Sequence, residues 1–198
     1  MKQNKKELSN EILNLIENFE SNFGENFDIE EAISCNRDIP INALKSFEKQ
    51  YDNFESTDDK YTFAILKPNA VKGNQVNSII GDIKIAGLNV IAAKKVLFVE
   101  SVARSFYKEH EGKDFFDGLV DFLSSGPSYI LVLEKEDGGA IKAFRDLMGP
   151  VAAVNDPDRY PNTLRANYAH SMTENSVHGS DSYESFIKEV NIAFFGKL

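Results

Sequence analysis

The sequence predicts an α+β protein: an antiparallel sheet with helices on one face, preceded by a small helical extension. Three observations predict it. Short apolar, β-rich segments alternate with stretches of helical spacing from residue 61 onward. Their order is strand–helix–strand–helices–strand–helix–strand–helix. The first 55 residues, by contrast, carry helical spacing only.

In that first stretch Leu8, Ile12, Leu15, Ile16, Phe19 and Phe23 recur three, four and seven residues apart, which puts them on one stripe of a helix. Asp28 stands as the N-cap of a second short helix through Glu30, Ala32 and Ile33. A third follows Pro40 and carries Ile41, Leu44, Phe47 and Tyr51. Helices this short bury little among themselves, so they are expected to dock on the main domain or on another subunit. The polar run 55–60 reads as a linker. The expected organisation is a helical extension and linker over 1–60 and a second domain over 61–198.

Within the second domain, 61–67 (YTFAILK) reads as a buried strand. Val76, Ile79, Ile80, Ile83 and Ala86 follow helical spacing, with Gly87 as a natural stop. A second strand is predicted over 89–98, and helices over 100–110 and 114–123, closed by Ser124-Ser125-Gly126-Pro127. A third strand covers 128–133 (SYILVL) and a helix 140–148. A loop rich in Pro, Asp and Asn runs from Gly149 to Thr163, a brief extended piece lies near Val177, and a helix runs from Ser182 to about Phe195. This order matches the α+β sandwich of ferredoxin-like type.

Composition narrows the function classes. The content of hydrophobic residues is 42% and of charged residues 27%, which suits a globular domain with a sizeable core. The net charge is −9, and residues 1–60 carry 7 Lys/Arg against 14 Asp/Glu, leaving 15 against 17 beyond them. With no basic stripe, no stable nucleic-acid partner is expected, whereas a small anionic substrate needs only a few cations in a cleft. No apolar run is long enough to span a bilayer, so no membrane association is expected. The N-terminus has no uninterrupted apolar block and no small-residue cleavage site, so no signal peptide is expected. Cys35 is the single cysteine and cannot build a disulfide framework, which fits a reducing, cytoplasmic location.

Among the three histidines, His110 and His170 read as structural or solvated, while His178 has a distinct setting. It lies in the run Asn175-Ser176-Val177-His178-Gly179-Ser180-Asp181-Ser182, just before the last predicted helix. Asp181 as N-cap with Glu184 three residues on would form a capping box, and Gly179 leaves room beside the imidazole. A nucleophilic imidazole must be held in one tautomer by a partner on its other nitrogen, and Glu189, two turns into the helix, is the candidate. Phosphate chemistry also needs fixed cations: Lys67 ends the first strand, and Arg145 and Arg165 flank the long loop. Neither a GxxxxGK[ST] loop nor a GxGxxG after a strand is present, and no His/Cys cluster has metal-ligand spacing. The pair Phe115-Phe116 could stack a base or simply fill core.

Taken together, these segments resemble the nucleoside diphosphate kinase family across 61–198. The likeness rests on Thr62-Phe63-Ala64-Ile65-Leu66-Lys67-Pro68, Phe106-Tyr107, Phe115-Phe116, Ser124-Ser125-Gly126-Pro127, Arg145-Asp146-Leu147-Met148-Gly149-Pro150, Thr163-Leu164-Arg165-Ala166 and the histidine run, in the family's order and spacing. The resemblance implies a ping-pong phosphotransferase acting between nucleoside tri- and diphosphates through a phosphorylated His178. It further implies that Glu189 orients the ring, that Ser180 supports Glu189 and that Tyr107 lies close to the imidazole. Lys67, Arg145, Arg165 and Asn175 would hold phosphates and the ribose hydroxyl, and Phe115 would stack on the base. No dedicated protein metal site is implied; Mg²⁺ would arrive on the nucleotide phosphates. A homo-oligomer is expected. The chain departs from the family at Asn69, where aspartate is usual and a structural role is expected, at Asp114 in place of proline, and after Gly149, where a threonine hydroxyl is missing from a longer loop. A non-catalytic nucleotide-binding scaffold or sensor of the same fold is the alternative; such a relative would be expected to lack the histidine or an arginine, and this chain keeps both.

Overall fold

A computed structural model describes residues 59–195. The helices predicted within 1–55, with Asp28, Pro40 and Cys35, lie outside the described residues. Four strands form one sheet: β1 (Tyr61–Leu66), β2 (Asn89–Val96), β3 (Ser128–Glu134) and β4 (Val177–Gly179), ordered β2-β3-β1-β4 with every pair antiparallel. The expected α+β class and ferredoxin-like sheet are what the structure shows.

The two central strands explain their own sequences. β1 and β3 are apolar almost throughout and buried almost throughout, as strands covered on both faces must be. β2 lies at one edge, where burial is broken by exposed Lys94 and Lys95, and its register shifts between Val90 and Ala92. β4 is only three residues long and pairs Ile65 with His178 and Ala64 with Gly179.

The helices are α1 (Pro68–Lys72), α2 (Val76–Ile85), α3 (Glu100–Phe106), α4 (Phe116–Ser124), α5 (Ala140–Met148), α6 (Leu164–Tyr168) and α7 (Tyr183–Phe195). They cover both sheet faces, which corrects the one-face expectation. Directly paired residues share a face, so Ile65 and His178 lie together with Phe63. On that side Phe63 meets Phe106 of α3 at 6.1 Å and Phe194 of α7 at 6.2 Å between ring centres. On the other side the small Gly179 lies against Phe144 and Met148 of α5. Once the strand residues of both faces are apolar, each face needs its own cover.

Element ends differ from the sequence reading for local reasons. The helix predicted over 100–110 stops at Phe106, and the chain tightens into a 3₁₀ turn over Lys108–His110, with the His110 N–H donating to the Tyr107 carbonyl at 2.8 Å. α4 begins at Phe116, two residues later than predicted. The loop after Gly149 contains a 3₁₀ turn, Val151–Val154, and is followed by α6, which was not predicted. The cap of α7 is Ser182, not Asp181. Ser182 Oγ accepts from the Ser185 N–H at 3.1 Å, and the Asp181 carboxylate instead accepts from the Ser185 hydroxyl at 2.7 Å. With Ser185 three residues after the cap, the capping box through Glu184 does not form.

Candidate active site

His178 is the middle residue of β4, an edge strand short enough to leave its side chain at the sheet margin. Its side chain is 21% exposed, and its ring is edge-on to Phe106 at 5.1 Å and to Phe63 at 6.4 Å. Phe106 has no role of its own in the sequence reading beyond its place in the Phe106-Tyr107 motif; it is the last residue of α3. The imidazole is thus walled by aromatics while keeping an opening. Nε2 lies 2.8 Å from Glu189 Oε1, and the hydroxyl of Ser180 donates to Glu189 Oε2 at 2.5 Å. Glu189 reaches the ring because it sits on α7 two turns beyond the Ser182 cap, and its side chain is only 12% exposed. A carboxylate can only accept, so Nε2 carries the proton in this pair and Nδ1 is left with a free lone pair.

The cations come from three different elements. Lys67 follows β1 and precedes α1, where Pro68 at the first helical position starts the turn. Its Nζ is buried and donates to Asn175 Oδ1 at 2.8 Å. Burial, and then the Arg165 guanidinium, lower the Lys67 amine to about 7. Arg165 lies in the first turn of α6, which starts because Thr163 caps it, Oγ1 accepting from the Ala166 N–H at 3.4 Å. The guanidinium donates to the Gly149 carbonyl at 2.8 Å, while its Nε is buried and has no partner among the described residues. Burial, and then Arg145, lower it to about 10. Arg145, in the last turn of α5, donates to the Gly179 carbonyl at 3.3 Å, beside His178 in the chain. Buried cations with a further cation near them lack negative charge, and phosphate oxygens would supply it.

Tyr107 stands behind Phe106, with ring centres 5.3 Å apart, and Lys67 Nζ lies 6.0 Å from its ring centre. Its hydroxyl is buried without a partner among the described residues. Burial, and then the Glu189 carboxylate, push its pKa up, and Arg165 opposes them. Phe115 is 53% exposed. It is joined to this group through His110, which is edge-on to Phe115 at 5.6 Å and stacked on Tyr107 at 6.1 Å. The structure therefore brings together His178, Glu189 and Ser180, ties Lys67 to Asn175, sets Arg145 and Arg165 within electrostatic reach of each other, and leaves Phe115 at the rim.

Comparison with known proteins places the family and the fold. Residues 60–197 match the family described as nucleoside diphosphate kinase. Among solved structures, the chain is similar to the nucleoside diphosphate kinase of Aquifex aeolicus, with 35% identity and a TM-score of 0.62 over 66% of this chain and 92% of that one. It is equally similar to the halophilic enzyme of Halobacterium salinarum solved in complex with CDP, with 35% identity and a TM-score of 0.62 over 69% and 88% of the two chains. The nucleoside diphosphate kinase of Encephalitozoon cuniculi follows at 28% identity and a TM-score of 0.60, over 68% and 88%. A family match across the whole sheet-bearing region, joined to that shared fold, leaves one conclusion: the chain belongs to the nucleoside diphosphate kinase family.

Proposed function

We propose that this protein transfers the γ-phosphoryl group of a nucleoside triphosphate to a nucleoside diphosphate through a phosphorylated His178. The observation that carries the reading is the relay Ser180–Glu189–His178, which leaves Nδ1 without a partner among the described residues, while Arg145 donates to the carbonyl of the next residue, Gly179. In the first half-reaction the Nδ1 lone pair attacks the γ-phosphorus. A P–N bond forms, the P–O bond to the β-phosphate breaks, and the nucleoside diphosphate leaves with that electron pair. In the second half-reaction a terminal oxygen of another nucleoside diphosphate attacks the same phosphorus and the P–N bond breaks. One site thus serves donor and acceptor in turn, and one set of cations stabilises both transition states. Glu189 holds the imidazole in the required tautomer and offsets the positive charge that develops on the ring.

Lys67, Arg145 and Arg165 hold the phosphates, Asn175 reaches phosphate or ribose hydroxyl, and Phe115 stacks on the base. Its exposed ring suits a face-on contact that every base can make. The CDP complex of the halophilic relative supports a nucleoside diphosphate as ligand. Among the described residues no group of His, Cys, Asp and Glu could hold a metal ion, whereas the donor set suits phosphate oxygens. Mg²⁺ carried on those phosphates would neutralise charge there.

The test mixes the protein with γ-labelled ATP and Mg²⁺, and then adds GDP. An acid-labile label on the protein that discharges onto GDP is expected, and His178→Ala should abolish it. A label that survives His178→Ala, or none in the native chain, would sink the proposal.

A further inference from the structure

Asn69 and Ser176 take no part in the chemistry above, yet both are buried and bonded to each other across more than a hundred residues of chain. Asn69 is the second residue of α1, two places after Lys67. Ser176 lies between Asn175 and β4 in the left-handed region, at φ 63°. That conformation is uncommon for a residue with a side chain and has to be held by its surroundings.

The bonds that hold it have fixed directions. The Ser176 hydroxyl spends its single proton on the Tyr168 carbonyl, at 2.6 Å. Its oxygen can therefore only accept from Asn69, whose Nδ2 donates to it at 2.7 Å. The same Nδ2 donates to the Glu174 carbonyl at 3.1 Å, and a carbonyl too can only accept. Both neighbours demand a donor from residue 69, and a carboxamide nitrogen supplies two protons at once. The Asn69 oxygen has no partner among the described residues, so the side chain is held by its donors alone. The backbone closes the tie, the Lys67 N–H donating to the Ser176 carbonyl at 2.8 Å.

Asn175 sits between the two residues that Asn69 grips, and its Oδ1 accepts from Lys67 Nζ. Tyr168, whose carbonyl anchors Ser176, ends the helix that carries Arg165, and its own hydroxyl donates to Asp82 of α2 at 2.8 Å. We propose that Asn69, acting through Ser176 and Glu174, is a positioning residue that holds Asn175 and Lys67 in the geometry that receives nucleotide phosphates and ribose. The proposal rests on the phosphotransfer reading for its consequence, but its contacts stand independently. It also means that the carboxamide suits this place better than a carboxylate of the same shape, which would face the Glu174 carbonyl with negative charge and could be met by the Ser176 hydroxyl only if that hydroxyl left the Tyr168 carbonyl.

The experiment compares Asn69→Asp, Asn69→Ala, Ser176→Ala and the double variant Asn69→Asp/Ser176→Ala with the native full chain. It measures ADP binding by calorimetry and the discharge of the phosphorylated protein at saturating ADP. Asn69→Asp is expected to weaken ADP binding roughly tenfold, and Asn69→Ala less, while the discharge rate at saturation stays within about twofold. The double variant should be little worse than the worse single one, because both break one tie. Native ADP affinity in Asn69→Asp and Asn69→Ala, strict additivity in the double variant, or loss of discharge rate with unchanged affinity would each overturn it. If Asn69→Asp does not fold, native affinity in Asn69→Ala overturns it alone. A native chain that binds ADP but takes no label would instead defeat the phosphotransfer reading and leave the ADP comparison intact.

Discussion

Glu189 decides which nitrogen of His178 is free, and it does so with one carboxylate oxygen while Ser180 occupies the other. Glu189→Gln keeps the shape but removes the charge that favours a single tautomer. Formation of the phosphorylated protein is expected to slow by roughly one to two orders of magnitude, read by rapid quench with labelled ATP. Lys67 carries a second prediction. Its amine is lowered to about 7 by burial and then by Arg165, so much of it is neutral in the free protein slightly above neutral pH. Bound phosphate favours the charged form, so nucleotide binding should take up a proton and weaken as pH rises above 7. Calorimetry in buffers of different ionisation enthalpy at pH 8 reads that uptake directly. The same shift has a stability sign: the unfolded lysine holds its proton up to its ordinary pKa near 10.5 and the folded one does not. This group therefore adds stability as pH climbs from about 7 toward 10.5, an increment absent below about 7.

At the scale of elements, close approach and capping fix where the site residues stand. β4 can lie against α5 only because residue 179 has no side chain: a Cβ there would meet Phe144 at 2.6 Å. Phe144 is a fully buried ring with little room to retreat. Gly179→Ala should cost about 1–3 kcal/mol and lower Tm by several degrees, measured by thermal unfolding. Ser182, by contrast, sets the start of α7 and with it the reach of Glu189. Ser182→Ala should cost about 1 kcal/mol, and Asp181→Ala clearly less, because only the former removes an acceptor from the backbone N–H groups of the first turn. Equal losses in the two variants would contradict this assignment of the cap.

For the whole molecule, every candidate site residue lies within 61–195, on the region that matches the family. The acidic segment before it supplies none of them. Removing residues 1–58 is therefore expected to leave phosphotransfer within about twofold while changing assembly or thermal stability. Steady-state rates together with mass in solution and melting test this, and loss of activity at unchanged mass and stability would contradict it. No described helix is long and apolar enough to cross a membrane.

The alternation of elements, the strand and helix cores, and the types of residue available for phosphate chemistry were all readable from the order of amino acids. Apolar periodicity is a local property and survives in one dimension: YTFAIL, SYILVL and the stretch from Ala140 to Met148 were all legible in it. Short helices such as α1 and α6 were not, since five residues carry too little periodicity. Nor was the two-sided cover of the sheet, because continuous burial of a strand does not say which helix lies on which face. Only the folded chain reveals that Phe106 walls His178, that Lys67 is buried against Asn175, and that Asn69 donates to its neighbours. Those facts depend on partners more than a hundred residues away or on another helix, and on the direction of single hydrogen bonds, which the identity of a residue leaves open until its neighbours are in place.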